Sequence, residues 1–402
     1  MIAIFGIIVL LFLAWLISVD RKRIPLKMVS VAFLLQVLFA LLVLYVPAGK
    51  SALQAIAGGV TYVTDYGNEG LSFLFGGLAT GSVGFVFAVN VLGIIVFFSA
   101  LISMLYHIGI MQKVIDVLGG ALQRVLGTGR AESLSATANI FVGMSEVPLV
   151  IKPYLKKMDD SQLFAVMTCG MASVAGSTMV GYAAVGVDLQ YLIAASFMSA
   201  PAGLLMSKMI VPPSVDKLQD DEISSVVIPR ATNIVEALAD GAMSGMRMAV
   251  TIGATLLAFI SVIALLNGML GDAGAYFGIE NLSFELIIGY LFAPIALLIG
   301  VPWVDAVTAG SLIGQKVVMN EFVAFIDLMS LKDTMQEHSV VVVTFALCGF
   351  ANVTTLAILI GGMGSLIPER RPFIAEYGIR AVMAGVLANL MSAAIVSIIL
   401  LL

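Results

Sequence analysis

Long apolar stretches recur along the chain, and they indicate that most of it is surrounded by a lipid bilayer and not by water. A helix needs about 20 apolar residues to cross the hydrocarbon core, and stretches of that length lie near 1–19, 28–47, 83–107, 162–187, 189–211, 245–270, 338–363 and 378–402. Charged residues make up 11% of the chain, against about 25% in soluble domains. Since backbone polar groups must be paired within lipid, the pattern predicts an all-α polytopic membrane protein with eight transmembrane helices.

The distribution of Lys and Arg predicts how these spans are oriented. With the N-terminus outside, 17 of the 20 basic residues fall on the cytoplasmic side, and Lys50, Lys316 and Lys332 fall on the other side, as the positive-inside rule requires. The cytoplasmic set is Arg21, Lys22, Arg23, Lys27, Lys113, Arg124, Arg130, Lys152, Lys156, Lys157, Lys208, Lys217, Arg230, Arg247, Arg370, Arg371 and Arg380. No basic patch remains for nucleic acid, and we find no P-loop, serine-hydrolase or zinc-protease motif that would indicate an enzyme.

Three further stretches are too short or too interrupted to be ordinary spans. Residues 50–80 are interpreted as an interfacial helix, while 131–157 and 283–331 carry Gly, Pro and charged residues within apolar sequence. The charge distribution holds if both return to the side from which they entered. We therefore expect two re-entrant hairpins, the first entering from the cytoplasm and the second from outside. A pair of short spans, 283–300 and 302–320, is an alternative for the second stretch.

An internal repeat follows the two predicted hairpins. Residues 169–174 read Cys-Gly-Met-Ala-Ser-Val and residues 348–353 read Cys-Gly-Phe-Ala-Asn-Val. Each hairpin also carries a glutamate near its tip, Glu146 and Glu321, followed by one of these sequences 23 and 27 residues later. Interrupted segments in two halves of opposite topology are typical of secondary transporters, so an inverted repeat is predicted.

The repeat divides the chain into four predicted segments. Residues 1–107 form scaffold spans one to three, and 212–270 add an interfacial helix and scaffold span six. The first transport repeat is 108–211, with hairpin 131–157, broken span 162–187 and span 189–211. The second is 271–402, with hairpin 283–331, broken span 338–363 and span 378–402.

Glu146 and Glu321 are the acids flanked on both sides by long apolar stretches. Carboxylates at membrane depth are costly and usually functional, and they accept hydrogen bonds from hydroxyl groups. Together with Ser145, Asn352 and Thr355 they suit a neutral solute rich in hydroxyls. Alternatively, Glu146 is a solvated boundary charge, Glu321 pairs with Lys316, and Asn352 pairs backbone groups freed by the helix break.

Two further groups complete the candidate site. Phe350 is an aromatic surface for a flat base, unless it is plain core. Asn139 and Ser173 offer oxygens for a hard cation such as sodium, unless they bond neighbouring helices. Cys169 and Cys348 lie within apolar runs and do not indicate a disulfide or a metal site.

Several motifs resemble those of the concentrative nucleoside transporters, in order over nearly the whole chain. They are Gly143-Met144-Ser145-Glu146-Val147-Pro148, Val301-Pro302-Trp303, Asn320-Glu321-Phe322-Val323 and Cys348-Gly349-Phe350-Ala351-Asn352. The resemblance implies a bacterial eight-span member in the inner membrane. It further implies a homotrimer that moves nucleosides by an elevator motion, coupled to sodium or, in some members, to protons.

The resemblance also implies roles for individual residues. Ser145 and Glu146 would meet the nucleobase, and Thr178 would line its pocket. Glu321, Asn352 and Thr355 would hold the ribose hydroxyls, beside Phe350. Sodium would bind Asn139, Val142, Ser173 and Val174 through side chains and carbonyls.

Two positions depart from the family pattern. Met144 stands where a base-contacting glutamine is usual, and Thr178 stands where an apolar residue is common, so base selectivity is open. The intact sodium positions favour a sodium-coupled nucleoside symporter without an organic cofactor. A proton-coupled carrier and a nucleoside-responsive channel or receptor are the alternatives.

Overall fold

The computed structural model describes residues 2–80, 82, 84–144, 146–213, 231–278 and 282–402, and within them the chain is built from helices and turns. The first half contains α1 Ile2–Leu16, α2 Leu26–Leu44, α3 Pro47–Phe75, α4 Phe87–Asn90, α5 Leu92–His107, α6 Ile110–Leu126, α7 Arg130–Ala138, α8 Val147–Val150, α9 Lys152–Leu155, α10 Asp160–Ala172, α11 Gly176–Val185 and α12 Leu189–Ile210. The second half contains α13 Ile234–Phe277, α14 Phe284–Leu298, α15 Ala306–Val318, α16 Glu321–Leu331, α17 Glu337–Leu347, α18 Val353–Leu366 and α19 Arg371–Ile399. The predicted all-helical class is confirmed.

Each of the eight predicted spans is occupied by helix. In the described residues, six helical segments are long and apolar enough to cross a membrane: Leu26–Leu44, Phe87–His107, Asp160–Val185, Leu189–Ile210, Ile234–Phe277 and Pro368–Ile399. Shorter apolar helices fill the other positions, among them α1 and the two halves α17 and α18. The count of eight true crossings stays a prediction.

Both repeat motifs coincide with a break in a helix. α10 ends at Ala172 and α11 begins at Gly176, while α17 ends at Leu347 and α18 begins at Val353. Each break leaves N–H and C=O groups without helical partners, which is tolerated in lipid where other polar groups meet them. These breaks therefore mark polar points within an otherwise apolar fold.

The two predicted hairpins are each built from short helices. In the first, α7 is followed by the short helices α8 and α9, and α8 lies against α7. In the second, α15 and α16 flank a two-residue tip, and α14 packs closely along α15. The contact is so close that a methyl group at Gly310 would lie 2.5 Å from the carbonyl oxygen of Gly289. Re-entry into a membrane stays a prediction for both hairpins.

Helix α5 packs against both α3 and α13. Glycines Gly241 and Gly245 bring α13 against α5, where added methyl groups would lie 2.5 Å from Ser103 Cβ and 2.7 Å from Ser99 Cβ. α13 otherwise exposes an apolar surface that includes Val250, Leu257 and Leu265. This outer face suits lipid or another protomer.

The first two helices pack against helices of both predicted transport repeats. α1 lies against α12, α14 and α19, and α2 lies against α12, α19 and α3. A methyl group at Gly6 would lie 1.7 Å from the carbonyl oxygen of Leu298, so α1 and α14 are in direct backbone contact. Which helices move together stays a prediction, but packing associates α1 and α2 with the repeat helices.

A buried ion pair fixes the base of the first hairpin. Lys208, expected in a cytoplasmic loop, instead lies within α12 and is 4% exposed. Its Nζ lies 2.5 Å from Glu132 Oε2 on α7 and donates to Ser161 Oγ of α10 at 3.1 Å. Lys217 and Arg230, from the same predicted loop, lie outside the described residues.

Candidate functional site

The two helix breaks cross in the centre of the fold. The backbone N–H of Phe350 donates to the carbonyl oxygen of Ser173 at 3.1 Å. Asn389 of α19 joins the same breaks, because its Nδ2 donates to the carbonyls of Ala172 at 2.7 Å and Cys348 at 2.9 Å. The two halves of the repeat thus meet through backbone groups released by the breaks.

A buried carboxylate occupies the second half of this centre. Glu321 is 5% exposed and accepts from Tyr182 Oη at 2.9 Å and from Asn352 Nδ2 at 3.1 Å. The Asn352 amide is oriented by Thr355, whose N–H and hydroxyl both donate to Asn352 Oδ1 at 2.8 Å. The sequence-predicted residues Glu321, Asn352 and Thr355 therefore form one connected cluster.

Two helix N-termini point into this cluster. Glu321 opens α16, where Asn320 is the N-cap and accepts from the N–H of Val323 at 3.0 Å. Asn352 is the N-cap of α18. It therefore pairs a backbone N–H freed by the helix break and also contacts Glu321. Helix N-termini carry partial positive charge and stabilise a nearby carboxylate. The Glu321 carboxyl group therefore lies among hydrogen-bond donors and beside the N-termini of two helices.

The first half of the site meets helix α13. Ser244 Oγ donates to Glu146 Oε1 at 3.3 Å. Thr178, which is 2% exposed, directs its hydroxyl to the sulfur of Met248 at 3.5 Å. Ser244 and Met248 are four residues apart and share one face of α13. Glu146 is thus a partly buried group in the turn before α8, in contact with α13.

The two halves are linked through α11. Thr178 and Tyr182 are also four residues apart on one helical face. Tyr182 is fully buried and packs its ring on Phe322 and Phe325, with centroids 4.5 and 4.7 Å away. One helical turn therefore separates the residue that bonds Glu321 from the residue that contacts α13.

The predicted cation positions contain unsatisfied oxygens. Asn139 is 1% exposed and donates Nδ2 to the carbonyl of Ser135 at 2.9 Å, while its Oδ1 has no hydrogen-bond partner among the described residues. Ser173 is 2% exposed, and its hydroxyl likewise has none. Buried oxygens without partners are costly, and hard cations prefer oxygen ligands. These two residues fit a sodium ion.

Neighbouring contacts bring the first tip and the first break together. Ser196 of α12 lies with its hydroxyl 3.4 Å from the carbonyl of Ile140 and 3.3 Å from that of Val174. The N–H of Gly176 donates to the carbonyl of Phe141 at 3.0 Å. The predicted positions 142 and 174 are buried valines, and their expected role as sodium ligands through backbone carbonyls stays a prediction.

The remaining predicted residues have different placements. Met144 is 8% exposed and lies against Gly170, where an added methyl would be 3.0 Å from Met144 Cβ. Phe350 is half-buried and packs against the core, with its backbone N–H bonded at the crossing of the breaks. Ser145 lies outside the described residues.

Sequence reasoning missed five residues of this centre, namely Tyr182, Ser196, Ser244, Met248 and Asn389. Three of them, Tyr182, Ser196 and Asn389, are polar groups on predicted apolar spans, which is the signal that could have found them. Ser244 lies one residue before the predicted span 245–270 and Met248 lies within it, and no sequence signal indicates which face of α13 meets the site.

Family models match most of the chain. The C-terminal model of the Na+ dependent nucleoside transporters matches residues 191–397, and the N-terminal model matches residues 5–78. A model described as nucleoside recognition, Gate, matches residues 88–188. The chain belongs to the concentrative nucleoside transporter family. The predicted family is confirmed, and it is a family of transporters rather than enzymes.

Relatives support the same assignment across the whole length. An uncharacterized transporter of Haemophilus influenzae is 52% identical, with 98% of this chain and 96% of the relative covered. The nucleoside permease NupC of Helicobacter pylori is 48% identical, with 97% and 95% covered. Sodium/nucleoside cotransporter 1 of the mouse is 37% identical over 98% of this chain and 63% of the relative.

Solved structures of one transporter, CNTnw, share the fold. Its inward-facing substrate-bound state is 48% identical to this chain and superposes with a TM-score of 0.94, covering 99% of this chain and 97% of that one. An outward-facing variant of CNTnw gives a TM-score of 0.95 at 47% identity, with 100% and 97% covered. The chain is therefore a membrane-embedded nucleoside transporter of this family in fold and sequence.

Proposed function

We propose that this family member is a sodium-coupled nucleoside symporter of the bacterial inner membrane. The observation that carries the proposal is the crossing of the two broken helices, with a buried carboxylate cluster on one side and unsatisfied oxygens on the other. Glu321, Asn352 and Thr355 form the solute half, and Asn139 and Ser173 form the cation half. The description of the family model and the name of the mouse relative support sodium as the ion.

The solute half fits the hydroxyl groups of a ribose. An ionised carboxylate accepts about four hydrogen bonds, and Tyr182 and Asn352 already supply two to Glu321. Two positions remain for the paired hydroxyls of a sugar. We expect Phe350, at the crossing of the breaks, to pack against the sugar and the base.

The base half is assigned to the first hairpin tip and α11. Glu146 accepts hydrogen bonds, Thr178 carries a hydroxyl, and Met144 supplies an apolar thioether. Ser145 completes the predicted set by resemblance. Since the glutamine usual in the family is replaced by Met144, we expect the base to be selected more by apolar contact than by amide hydrogen bonds.

Coupling follows from the hydrogen bond between the two breaks. Sodium bound by Ser173 would order the first break, whose Ser173 carbonyl accepts from the N–H of Phe350. When the first helix break is ordered, the second break is held in the geometry in which Glu321, Asn352 and Thr355 bind the nucleoside. By linkage, bound nucleoside raises sodium affinity by the same factor.

Movement and assembly complete the proposal. Helices α3, α5 and α13 would form the static part of an elevator, with the hairpins and broken helices carrying the solute past α13. The N-terminus would lie outside, as the positive-inside rule indicates. The exposed apolar faces of α3 and α13 suit a homotrimer within lipid.

The test is equilibrium binding of uridine to purified protein in sodium and in choline, with and without the variant Ser173→Ala. Sodium should tighten uridine binding, and the variant should weaken this effect, while free ribose and free uracil compete poorly. Uridine affinity that ignores sodium but follows pH would favour the proton-coupled alternative. A channel or receptor would bind uridine without concentrating it in vesicles.

A further inference from the structure

Lys316 is a buried lysine that the proposed transport mechanism has not yet used. It lies in the last turn of α15 and is 1% exposed. Its Nζ donates to Asn389 Oδ1 at 2.9 Å, and in the described part of the chain no carboxylate oxygen lies within 4.0 Å of it. An ammonium group taken out of water without compensation costs several kcal/mol, so its position calls for a compensating charge or dipole.

Asn389 fixes the Lys316 ammonium at the crossing of the helix breaks. Its Oδ1 accepts from Lys316, while its Nδ2 donates to Ala172 and Cys348, the carbonyls at the C-terminal ends of α10 and α17. Helix C-termini carry partial negative charge and favour a cation. Gly349 permits the close approach, because an added methyl there would lie 2.2 Å from Asn389 Oδ1.

Glu321 is the complementary charge across the hairpin tip. It follows Lys316 by five residues and is also buried, and its described partners, Tyr182 and Asn352, are neutral donors. Helix α15, which carries Lys316 in its last turn, packs against α16, which begins at Glu321, and a two-residue tip separates the two helices along the chain. The other titratable groups nearby are the Cys348 thiol and the Tyr182 phenol, which are neutral groups near pH 7 in their ordinary forms.

We propose that Lys316, locked in place by Asn389, is the resident counter-charge of Glu321. The pair keeps the solute half electrically neutral while leaving the carboxylate ionised as an acceptor. Glu321 then needs neither a proton nor a cation of its own when the site is empty. Lys316 is a positioning residue in this account, and the inference rests on the proposed role of Glu321 only for its effect on nucleoside binding.

The first test measures charge balance without any nucleoside. Melting temperatures of the detergent-purified protein are compared for Lys316→Met, Glu321→Gln and the double variant. Since a lone buried charge is costlier than none, the double variant should melt at least about 2 °C above Lys316→Met. Simple additivity of the two losses would overturn the proposal. If Lys316→Met fails to fold, a double variant that folds supports the pairing. If neither Lys316→Met nor the double variant folds while Glu321→Gln does, the pairing is refuted.

The matched control uses the second buried lysine. Lys208 pairs with Glu132 at the base of the first hairpin, away from Glu321. Lys208→Met combined with Glu321→Gln should therefore give additive losses of melting temperature. A rescue of this combination equal to that of the Lys316 pair would show that the effect is not specific.

The second test measures uridine binding at fixed sodium from about pH 5.5 to 8. The wild type should keep its Kd within about twofold, because Glu321 stays ionised throughout. In Lys316→Gln the Glu321 carboxylate should take up a proton as the pH falls. The Kd for uridine should therefore rise by up to about tenfold for each unit by which the pH decreases. Lys316→Arg should restore the flat profile. A flat profile in Lys316→Gln would contradict the proposal. If the wild type does not bind uridine, the nucleoside assignment is refuted, while the melting test still decides whether Lys316 and Glu321 form a pair.

Discussion

Replacing Glu321 with glutamine removes the charge of the solute half while retaining its shape. The Asn352 amide is held by two hydrogen bonds from Thr355, so its Nδ2 continues to face position 321. The new glutamine therefore presents its oxygen to Asn352 and its amide nitrogen to Tyr182, whose hydroxyl can rotate to accept. We expect Glu321→Gln to fold and to retain these internal contacts.

The loss should fall on the bound nucleoside. Of the two acceptor positions left for sugar hydroxyls, one becomes an N–H donor and the other loses its negative charge. Hydrogen bonds to charged groups contribute about 1.5–3 kcal/mol and neutral ones about 0.5–1.5 kcal/mol. A net loss of about 2–3 kcal/mol corresponds to a roughly 30- to 150-fold rise in Kd.

The assay is isothermal titration of uridine into the purified protein in saturating sodium. Asp305→Asn is the matched control, since Asp305 is also 5% exposed and accepts two hydrogen bonds, from Ser339 Oγ at 2.5 Å and the N–H of Gln336 at 3.1 Å. The control should bind uridine as the wild type does. A Kd for Glu321→Gln within about threefold of the wild type, with the protein folded, would refute the ribose role.

Three further variants test other parts of the site. Ser173→Ala should raise the sodium concentration for half-maximal uridine uptake by roughly tenfold, because one of the two buried oxygens without a hydrogen-bond partner among the described residues is lost. Asn139→Leu should have the same effect. An unchanged sodium dependence of uptake would exclude this cation site. Met144→Gln should change the ranking among nucleosides in competition assays without altering sodium dependence, and the same ranking would mean that position 144 does not face the base. Ser244→Ala removes the α13 hydroxyl that donates to Glu146. A hydrogen bond of about 0.5–1 kcal/mol is then lost in one conformational state, so we expect roughly threefold faster or slower uptake with a nearly unchanged melting temperature. Unaltered transport kinetics would show that the contact has no part in movement.

Much of the organisation could be predicted from the sequence because lipid imposes strong rules. Apolar length indicates the positions of the spans, and the repeated Cys-Gly-x-Ala motif coincides with both helix breaks. Glu321 and Asn352 are recognisable because a carboxylate and an amide are costly in apolar sequence. Their direct hydrogen bond depends on two segments 31 residues apart meeting at a hairpin tip.

The parts that escaped prediction depend on packing between distant helices. Asn389 lies 217 residues from its partner Ala172. Its polarity within an apolar span indicates that it has a partner, but the local pattern of α19 does not indicate which helix supplies it. Lys208 lies near the end of the predicted span 189–211, where a lysine usually extends to the membrane surface, although its buried partner Glu132 lies on another helix. The association of α1 with α14 depends on Gly6, whose missing side chain permits backbone contact. Periodicity carries no information about such long-range contacts.

The central claim, coupled transport of a nucleoside, is tested most directly by uptake of labelled uridine and adenosine into proteoliposomes with an inward sodium gradient at fixed pH. We predict accumulation above equilibrium that disappears when choline replaces sodium, with chemically unchanged nucleoside recovered inside. Accumulation that ignores sodium and follows a proton gradient would contradict the sodium site at Asn139 and Ser173. Equilibration without accumulation would contradict symport itself.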